Sequence, residues 1–291
     1  MPSPSSDILK EPRLTVLMPL KNFHLKFLRK SIASVCEQTC PLWTLLIVVE
    51  KADLSYFKNI LQSELNDGRI RLIGNEGRKL AGALNTGMKH ALTDFVAILL
   101  SDDLWSTKAV EVLTEHIERF PTVDFFHSSR QVIDEDDRTI SPIYLSKEEF
   151  TLNDFVFSPP VKHLLCWRRE MALDFGGMDE SLNSVGPDDF DFPWLMAEWG
   201  AQFMAIKDCL YLYRDHFQCY RLTTHLPLAV HVREITKIMR KHGVSARLIE
   251  AAVTAGKKSH LQQCVYRSNA DKWIKDRLGH RPKQRWKYEY Q

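Results

Sequence analysis

The chain has 291 residues, of which 44% are hydrophobic and 26% charged, and its formal net charge at pH 7 is +2. A chain of this length and composition is long enough for one large α/β domain and an appendage. No stretch reaches the roughly 18 uninterrupted apolar residues of a membrane span, so the sequence predicts no membrane-spanning helix.

The sequence of residues 1–12 lacks the basic flank and the apolar stretch of a secretory signal. It predicts a short flexible tail. The six cysteines form neither a CxxC pair nor a dense framework, which favours reduced thiols over disulfides or a structural zinc site. Both observations favour a cytoplasmic protein.

Apolar runs alternate with amphipathic stretches through the first 119 residues. The apolar runs predict strands over residues 14–20, 44–50, 69–73 and 94–100. The amphipathic stretches predict helices near residues 27–36, 54–66, 80–92 and 108–119. Strands that are apolar on both faces are typical of a parallel sheet covered by helices, and the alternation is typical of βαβ units. We therefore expect a doubly wound α/β sheet whose ligands bind beyond the carboxyl ends of the strands.

An acidic pair, Asp102 and Asp103, follows the fourth predicted strand in "AILLSDDLW". Neither GxGxxG nor GxxxxGK[ST] follows the first strand, which disfavours nicotinamide-dependent dehydrogenases and P-loop enzymes. If phosphates bind here without a glycine-rich loop, a divalent cation held by carboxylates, Mg²⁺ or Mn²⁺, is the expected substitute for the missing positive charge. The alternative interpretation of the pair is a polar turn or a helix N-cap.

Charge is distributed unevenly along the chain. Residues 221–291 contain 16 Lys and Arg against 5 Asp and Glu, a net of +11, which leaves residues 1–220 acidic. Within residues 257–291 the basic side chains are interleaved with Trp273, Trp286, Tyr288 and Tyr290. This pattern suits anionic lipid headgroups or nucleic acid. The alternative is a helical appendage with solvated basic faces.

Four blocks of the sequence carry a resemblance to a known family. They are "LTVLMPLKN", "FLRKSIASVCEQTCPLWTLLIVVE", "NTGMKHALTDFVAILLSDD" and "FGGMDESLNSVGPDDFDFPWLMAEWG". In this order and at this spacing they resemble the successive blocks of family 2 glycosyltransferases, over about Leu14 to His216. The resemblance implies a GT-A fold, which is a Rossmann-like mixed, mainly parallel sheet flanked by helices, here with a helical C-terminal appendage.

The resemblance also implies a division of the chain into domains. We expect a catalytic domain over residues 13–220, of which 13–105 bind the nucleotide sugar and 106–220 serve the acceptor and catalysis. A basic helical region would follow over residues 221–291.

On the donor side, the resemblance places Pro19 and Asn22 of a "PxxN" motif at the edge of the nucleotide pocket, and Asn85 in the family's "NxG" motif. Glu50 offers acceptor oxygens to a base N–H. Arg78 is a candidate contact for the diphosphate. Capping of a helix or turn is the alternative role of the two asparagines.

At the metal, the resemblance implies that Asp103 binds the cation, that Asp102 binds the ribose or the cation, and that His216 completes the metal shell. Arg214 would contact the diphosphate or pair with an acidic group. In "GPDDFDF", Asp189 matches the general base and Asp188 is the second choice for that role. Acidic residues in the first turn of a helix also have a purely structural explanation in the macrodipole.

Two departures from the family pattern concern the donor site. Leu100 stands where the family has the first Asp of a D-x-D-D run, so two carboxylates remain instead of three. Glu50 lies in "VEKA", where the family commonly has "DDxS". These departures leave the identity of the nucleobase in the donor open and weaken the argument for a metal.

The resemblance therefore implies an inverting, metal-dependent glycosyltransferase that uses a nucleotide-diphospho-sugar. A UDP-sugar is favoured as donor, with GDP or dTDP as alternatives, and the acceptor is sugar-containing or lipid-linked. We expect no nucleic acid partner, and we expect residues 257–291 to contact the inner face of a membrane peripherally. The alternative is a catalytically weak nucleotide-sugar-binding or scaffold protein of the same fold.

Overall fold

The structure is a computed structural model. It describes residues 11–182, 186–216 and 228–255. The chain divides into two compact units, Met1–His216 and Phe217–Gln291. None of the described helices combines the length and the apolar composition that a membrane crossing requires.

The first half of the first unit is a parallel sheet. Its strands are β1 (Leu14–Pro19), β2 (Trp43–Val49), β3 (Ile70–Gly74) and β4 (Phe95–Ile98), in the order β3-β2-β1-β4. All three neighbouring pairs are parallel, which confirms the predicted strands to within two residues at each end. Every residue of β1 and β4 is buried, as predicted for strands covered on both faces. Strand β2 is buried except at the partly exposed Thr44, and β3, which lies at the edge of the sheet, exposes Arg71.

The predicted helices connect these strands. They are α1 (Leu25–Cys36), α2 (Leu54–Ile60), α3 (Lys79–His90) and α4 (Ala109–Arg119). Helix α2 is shorter than predicted and lies between two 3₁₀ turns, Lys51–Asp53 and Glu64–Asn66. Helix α3 approaches β1 closely, because a Cβ atom at Gly87 would lie 2.8 Å from Leu17 Cδ2. Glycine at this position therefore lets the helix pack directly on the sheet.

The second half extends the same sheet with antiparallel pairs. Strands β5 (Leu104–Trp105), β6 (Phe125–Ile133), β7 (Leu165–Arg168) and β8 (Phe203–Arg214) complete the order β4-β7-β6-β8-β5. Strand β7 runs antiparallel to β4 and β6, β5 runs antiparallel to β8, and β6 and β8 are parallel. The eight strands confirm the predicted mixed sheet.

Short helices cover this half of the sheet. They are α5 (Leu152–Phe157), α6 (Arg169–Asp174) and α7 (Phe192–Glu198), the last preceded by a π-helical turn over Pro187–Asp191. Two apolar clusters, which draw on alternate residues of β1 and β2, form the core. The sheet thus positions the ends of β1, β2 and β4 for a site at one edge.

The described part of the second unit is helical. It consists of α8 (Leu228–Lys241) and α9 (residues 246–255). Gly243, with a φ of 68°, ends α8: its N–H donates to Arg240 O, and the N–H of Val244 donates to Met239 O. This is the Schellman motif, in which glycine tolerates the left-handed conformation. The basic residues 257–291 lie outside the described residues.

Candidate active site

Asp103 is a buried carboxylate at the end of the segment that follows β4. Its side chain accepts hydrogen bonds on both oxygens, from the Tyr211 hydroxyl to Oδ2 at 2.7 Å and from the backbone N–H of Arg214 to Oδ1 at 2.7 Å. Only 1% of the residue is exposed. Burial and the neighbouring charge of Asp102 raise the pKa of Asp103 to about 7, against the effect of these two hydrogen bonds. Both oxygens of Asp103 thus fasten the strand β8 to the end of β4.

Asp102 faces a different partner. Its Oδ2 lies 3.2 Å from His216 Nε2, and 29% of the Asp102 side chain is exposed. The imidazole of His216 packs against the ring of Phe27, with the ring centroids 4.7 Å apart. Among the described residues no group of three His, Cys, Asp or Glu side chains is arranged to hold a metal ion. Of the three residues predicted to bind metal, the structure therefore joins two, the buried His216 and the partly exposed Asp102.

Arg214 is buried among partners within the protein. Its side chain is fully buried. Its Nε donates to Asp102 O at 2.8 Å and Nη1 donates to Asp134 O at 2.7 Å, while Nη2 lies 2.6 Å from Asp137 Oδ1. The guanidinium also lies over the ring of Phe27. Burial and these internal partners occupy the guanidinium, in agreement with the alternative role of pairing with an acidic group, and the contact with a diphosphate stays a prediction.

Three predicted donor-binding residues, Pro19, Asn22 and Glu50, lie at or just after the ends of the neighbouring parallel strands β1 and β2. Pro19 is the last residue of β1, and Asn22 lies exposed in the turn that follows it. Glu50 comes directly after β2 and is partly exposed, with Oε1 3.5 Å from Asn75 Nδ2. Since β1 also neighbours β4, these residues lie at the edge of the sheet that carries Asp102.

Asn85 bonds to the backbone of a distant segment. Its Nδ2 donates to Met178 O at 2.9 Å, and its Oδ1 accepts from the Met178 N–H at 2.8 Å. A Cβ atom at Gly177, which has a φ of 78°, would lie 2.4 Å from this Oδ1. The amide thus fastens α3 to the segment after α6, and its contact with the nucleotide stays a prediction.

Arg78 precedes α3 and presents its side chain to solvent. The side chain is 78% exposed, and its Nε lies 3.8 Å from Glu180 Oε2. The same carboxylate oxygen accepts the backbone N–H of Arg78 at 2.9 Å. An exposed guanidinium with one distant partner remains available to a ligand.

The second acidic motif forms the start of the π-helical turn. Gly186, with a φ of 50°, precedes Pro187 and lets the chain enter the turn in the left-handed conformation. Asp188 is buried, with Oδ2 3.5 Å from His163 Nε2, whereas Asp189 is partly exposed. Burial, and then the charge of Asp188, raise the pKa of Asp189 to about 6, while His163 acts in the opposite direction. Asp189 is therefore a carboxylate whose basicity is tuned towards neutral pH.

Tyr211 and His163 connect the two acidic motifs. The ring centroid of His163 lies 5.3 Å from that of Tyr211, whose hydroxyl donates to Asp103. His163 in turn contacts Asp188. The motifs after β4 and before α7, far apart in sequence, are thereby parts of one site. Sequence reasoning missed both linking residues, and the "LYLYRD" segment held no signal that distinguishes Tyr211 from Tyr213.

We define a basic cluster as His127, Arg130 and Lys162, whose charges act on Asp189 or on one another. Burial and the charge of Arg130 lower the pKa of Lys162, and Asp189 partly offsets this effect. His127 is almost fully buried on β6, and burial together with Lys162 lowers its pKa to about 4. Sequence reasoning did not single out these residues, because they come from β6 and from the segment before β7 without any motif.

A family model, "Glycosyl transferase family 2", matches residues 15–169. The UDP-Glc:alpha-D-GlcNAc-diphosphoundecaprenol beta-1,3-glucosyltransferase WfgD of Escherichia coli is 30% identical over 142 residues, which are 48% of this chain and 53% of that protein. The O-antigen biosynthesis protein RfbC of Myxococcus xanthus is 24% identical over 209 residues, 71% of this chain and 16% of the relative. The chain thus spans about half the length of WfgD and less of RfbC.

Solved structures share the fold at low sequence identity. S. aureus TarS 1–349 in complex with UDP-GlcNAc superposes with a TM-score of 0.58 at 15% identity, over 78% of this chain and 65% of that chain. The mannosyltransferase PcManGT from Pyrobaculum calidifontis, in complex with GDP-Man and Mn2+, gives 0.57 at 18% identity over 84% and 69%. The sheet order agrees with this GT-A fold, and the family model covers more than half of the residues. The chain therefore belongs to glycosyl transferase family 2.

Proposed function

We propose that the protein transfers a sugar from a nucleotide-diphospho-sugar to an acceptor hydroxyl, with inversion at the anomeric carbon. The observation that carries this proposal is the connection of the Asp102–Asp103 motif to the Asp188–Asp189 motif: Tyr211 donates to Asp103, and His163 contacts both Tyr211 and Asp188. WfgD is named as an enzyme that uses UDP-Glc, and the two solved structures hold UDP-GlcNAc and GDP-Man. These relatives support the same class of donor here.

We propose that Asp102 and His216 hold a divalent cation. A carboxylate oxygen and an imidazole nitrogen that already lie 3.2 Å apart fit a shared ion, and the imidazole favours Mn²⁺ over Mg²⁺, which prefers oxygen ligands. When bound, the cation supplies positive charge to the departing nucleoside diphosphate. Asp103 holds the neighbouring Asp102 in position, since its own oxygens accept hydrogen bonds from the Tyr211 hydroxyl and the Arg214 N–H. This proposal replaces the direct metal contact that the sequence suggested for Asp103.

Asp189 is the general base in the proposed reaction. The acceptor oxygen forms a bond to the anomeric carbon, the bond from that carbon to the diphosphate oxygen breaks, and the acceptor proton moves to Asp189. Inversion needs one carboxylate on the acceptor side, whereas a glycosidase needs an acid and a base flanking the bond. A pKa of about 6 keeps Asp189 ionised at neutral pH and basic enough to accept the proton.

Donor recognition follows from the residues around the strand ends. In the proposed site Glu50 accepts a hydrogen bond from a nucleobase N–H, and Pro19 and Asn22 form the neighbouring edge of the nucleotide pocket. Arg78 offers an exposed guanidinium to the diphosphate. We propose a UDP-sugar as the favoured donor, with GDP and dTDP as alternatives.

A donor panel tests this function. UDP-, GDP- and dTDP-sugars are incubated with the protein and Mn²⁺, and donor hydrolysis and the melting temperature are measured. We expect one nucleotide to raise the melting temperature and its sugar to be slowly released. Absence of both effects with every donor would refute the function. Binding without any turnover would favour the alternative of a nucleotide-sugar-binding protein, for which Leu100 is the motivating observation.

We also propose that the basic residues 257–291 hold the protein at an anionic membrane surface, at the inner face of the membrane, where a lipid-linked acceptor would be found. The support is sequence alone: basic residues interleaved with four aromatic residues.

A further inference from the structure

The buried side chain of Arg214 contacts both sides of the proposed metal site. Its Nε donates to the backbone carbonyl of Asp102 at 2.8 Å. Its guanidinium carbon lies 4.7 Å from the ring centroid of Phe27, and the centroid of that ring lies 4.7 Å from the centroid of the His216 imidazole. One guanidinium thus fixes the backbone of Asp102 and, through Phe27, the ring of His216.

Asp137 balances the charge of this guanidinium. Its Oδ1 lies 2.6 Å from Arg214 Nη2, and its Oδ2 pairs with Lys30 Nζ on α1, the helix that also carries Phe27. The Arg214 side chain is fully buried, whereas the Asp137 side chain is 36% exposed. A buried charge is costly unless it is paired, so loss of the Asp137 charge should disturb the position of the guanidinium.

Hydrogen bonds within one turn fix the backbone that carries Asp137. Asp134 Oδ1 accepts the N–H groups of Asp136 and Arg138, at 2.8 and 2.9 Å. Asp137 has a φ of 66°, a left-handed conformation that Asp and Asn tolerate better than most residues. The carbonyl of Asp134 accepts from Arg214 Nη1 at 2.7 Å. The turn therefore holds the guanidinium at two points.

From these contacts we propose that Arg214 and Asp137 are positioning residues for the Asp102–His216 pair. They act through the Asp102 carbonyl and through Phe27, and they keep the Asp102 carboxylate and the His216 imidazole 3.2 Å apart. Residues that orient metal ligands from outside the coordination shell commonly control metal affinity. The inference rests on the proposed function, because it takes this pair as the site of the divalent cation.

Variants of Asp137 test this role. Arg214 is fully buried, so its substitution risks misfolding, whereas Asp137 is partly exposed. Asp137→Asn removes the charge and Asp137→Gly removes the whole side chain, and both Asn and Gly suit the left-handed conformation. Asp136→Asn is the matched control, because Asp136 belongs to the same turn and its exposed carboxylate pairs with Arg138 instead.

The measurement is Mn²⁺ affinity. Free Mn²⁺ is followed by electron paramagnetic resonance during titration of the full chain, alone and with the nucleotide that raises the melting temperature in the donor panel. We expect the affinity to fall roughly 10-fold in Asp137→Asn and roughly 100-fold in Asp137→Gly, the usual scale for residues that orient metal ligands. Asp136→Asn should bind Mn²⁺ like the wild type. Nucleotide affinity in EDTA should be unchanged in all three variants.

Denaturant unfolding of the same variants separates positioning from stability. A merely structural role would lower the unfolding free energy and leave the Mn²⁺ affinity of the folded protein unchanged, and this result would overturn the proposal. An equal loss of Mn²⁺ affinity in Asp136→Asn would also overturn it, as would an equal loss of nucleotide affinity in EDTA. Failure of the wild type to bind Mn²⁺ would refute the proposed metal site and this proposal with it, whereas equal binding by the wild type and both Asp137 variants would overturn this proposal alone.

Discussion

The hydroxyl of Tyr211 donates a 2.7 Å hydrogen bond to Asp103, while Asp102, the adjacent residue, faces His216 at 3.2 Å. Two neighbouring carboxylates thus point to different partners. The buried one, Asp103, joins β8 to the end of β4, and the exposed one is available to a ligand. We therefore expect Asp103 to contribute to stability and Asp102 to contribute to metal binding.

We expect Asp102→Asn to lower the Mn²⁺-dependent affinity for UDP at least tenfold, because the amide loses the charge that holds a cation. The unfolding free energy should change little, since Asp102 is partly exposed. Tyr211→Phe should instead lower the unfolding free energy and change the Mn²⁺-dependent affinity for UDP little. It leaves Asp103 Oδ2 without its donor and should cost about 1–3 kcal/mol of unfolding free energy. Denaturant melts and nucleotide titrations of both variants measure the two effects, and equal loss of Mn²⁺-dependent affinity in both would contradict the separation.

Asp189→Asn keeps the size of the side chain and removes its basicity. We expect donor binding to persist while transfer to the acceptor falls by roughly 10²- to 10⁴-fold, which is the usual scale for a lost general base. Asp208→Asn, an exposed position on β8, is the matched control. If Asp189→Asn retains full activity and Asp188→Asn loses it, the role belongs to Asp188; full activity in both variants would exclude this mechanism.

The pH dependence of transfer follows from the same carboxylate. Its pKa is raised to about 6, and the base acts only when ionised, so kcat should rise with pH and level off above about 6. The charged groups that face Asp189 are Asp188, His163, Arg130 and Lys162.

Asp188 raises the pKa of Asp189, so Asp188→Asn should lower that pKa and move the acid limb of the profile to lower pH. The measurement is kcat over pH 4.5–8, with the ordinary carboxyl pKa of about 4 as the lower limit of the shift. An acid limb that stays in place would remove Asp189 from the proposed role.

The fold could be predicted from the sequence because its signals are local. Each apolar run of the first half fills a strand that is buried on both faces, and the two acidic motifs stand out beside those runs. The resemblance assigned these motifs to metal binding and to the general base, and in the structure Tyr211 and His163 connect them.

The partners of buried polar side chains could not be predicted in the same way. Asn85 bonds to Met178, and Arg214 bonds to Asp134 and pairs with Asp137, so their roles depend on segments far away in the chain. The linking residue His163 and the basic cluster have no sequence motif. Tertiary structure alone brings them together.

The role of Asn85 has a direct test. Asn85→Ala removes two hydrogen bonds to the Met178 backbone and leaves that N–H and C=O buried without this partner. We expect a loss of about 1–3 kcal/mol in unfolding free energy with donor affinity unchanged. Asn22→Ala, in an exposed turn, should show the opposite pattern: lower donor affinity and little change in stability. A weaker donor affinity in Asn85→Ala at full stability would instead support its predicted nucleotide contact.

The proposed membrane contact of residues 257–291 predicts salt-sensitive adsorption. Each basic residue near an anionic surface contributes about 1 kcal/mol, and the four aromatic residues favour the interface. The full chain is sedimented with vesicles containing phosphatidylglycerol at low and high salt, beside a variant with Arg281, Lys283, Arg285 and Lys287 changed to Gln. We expect binding at low salt that falls at high salt, because counterions screen the attraction, and weaker binding by the variant. Absence of binding at low salt, or equal binding by both proteins, would exclude this segment as the membrane contact.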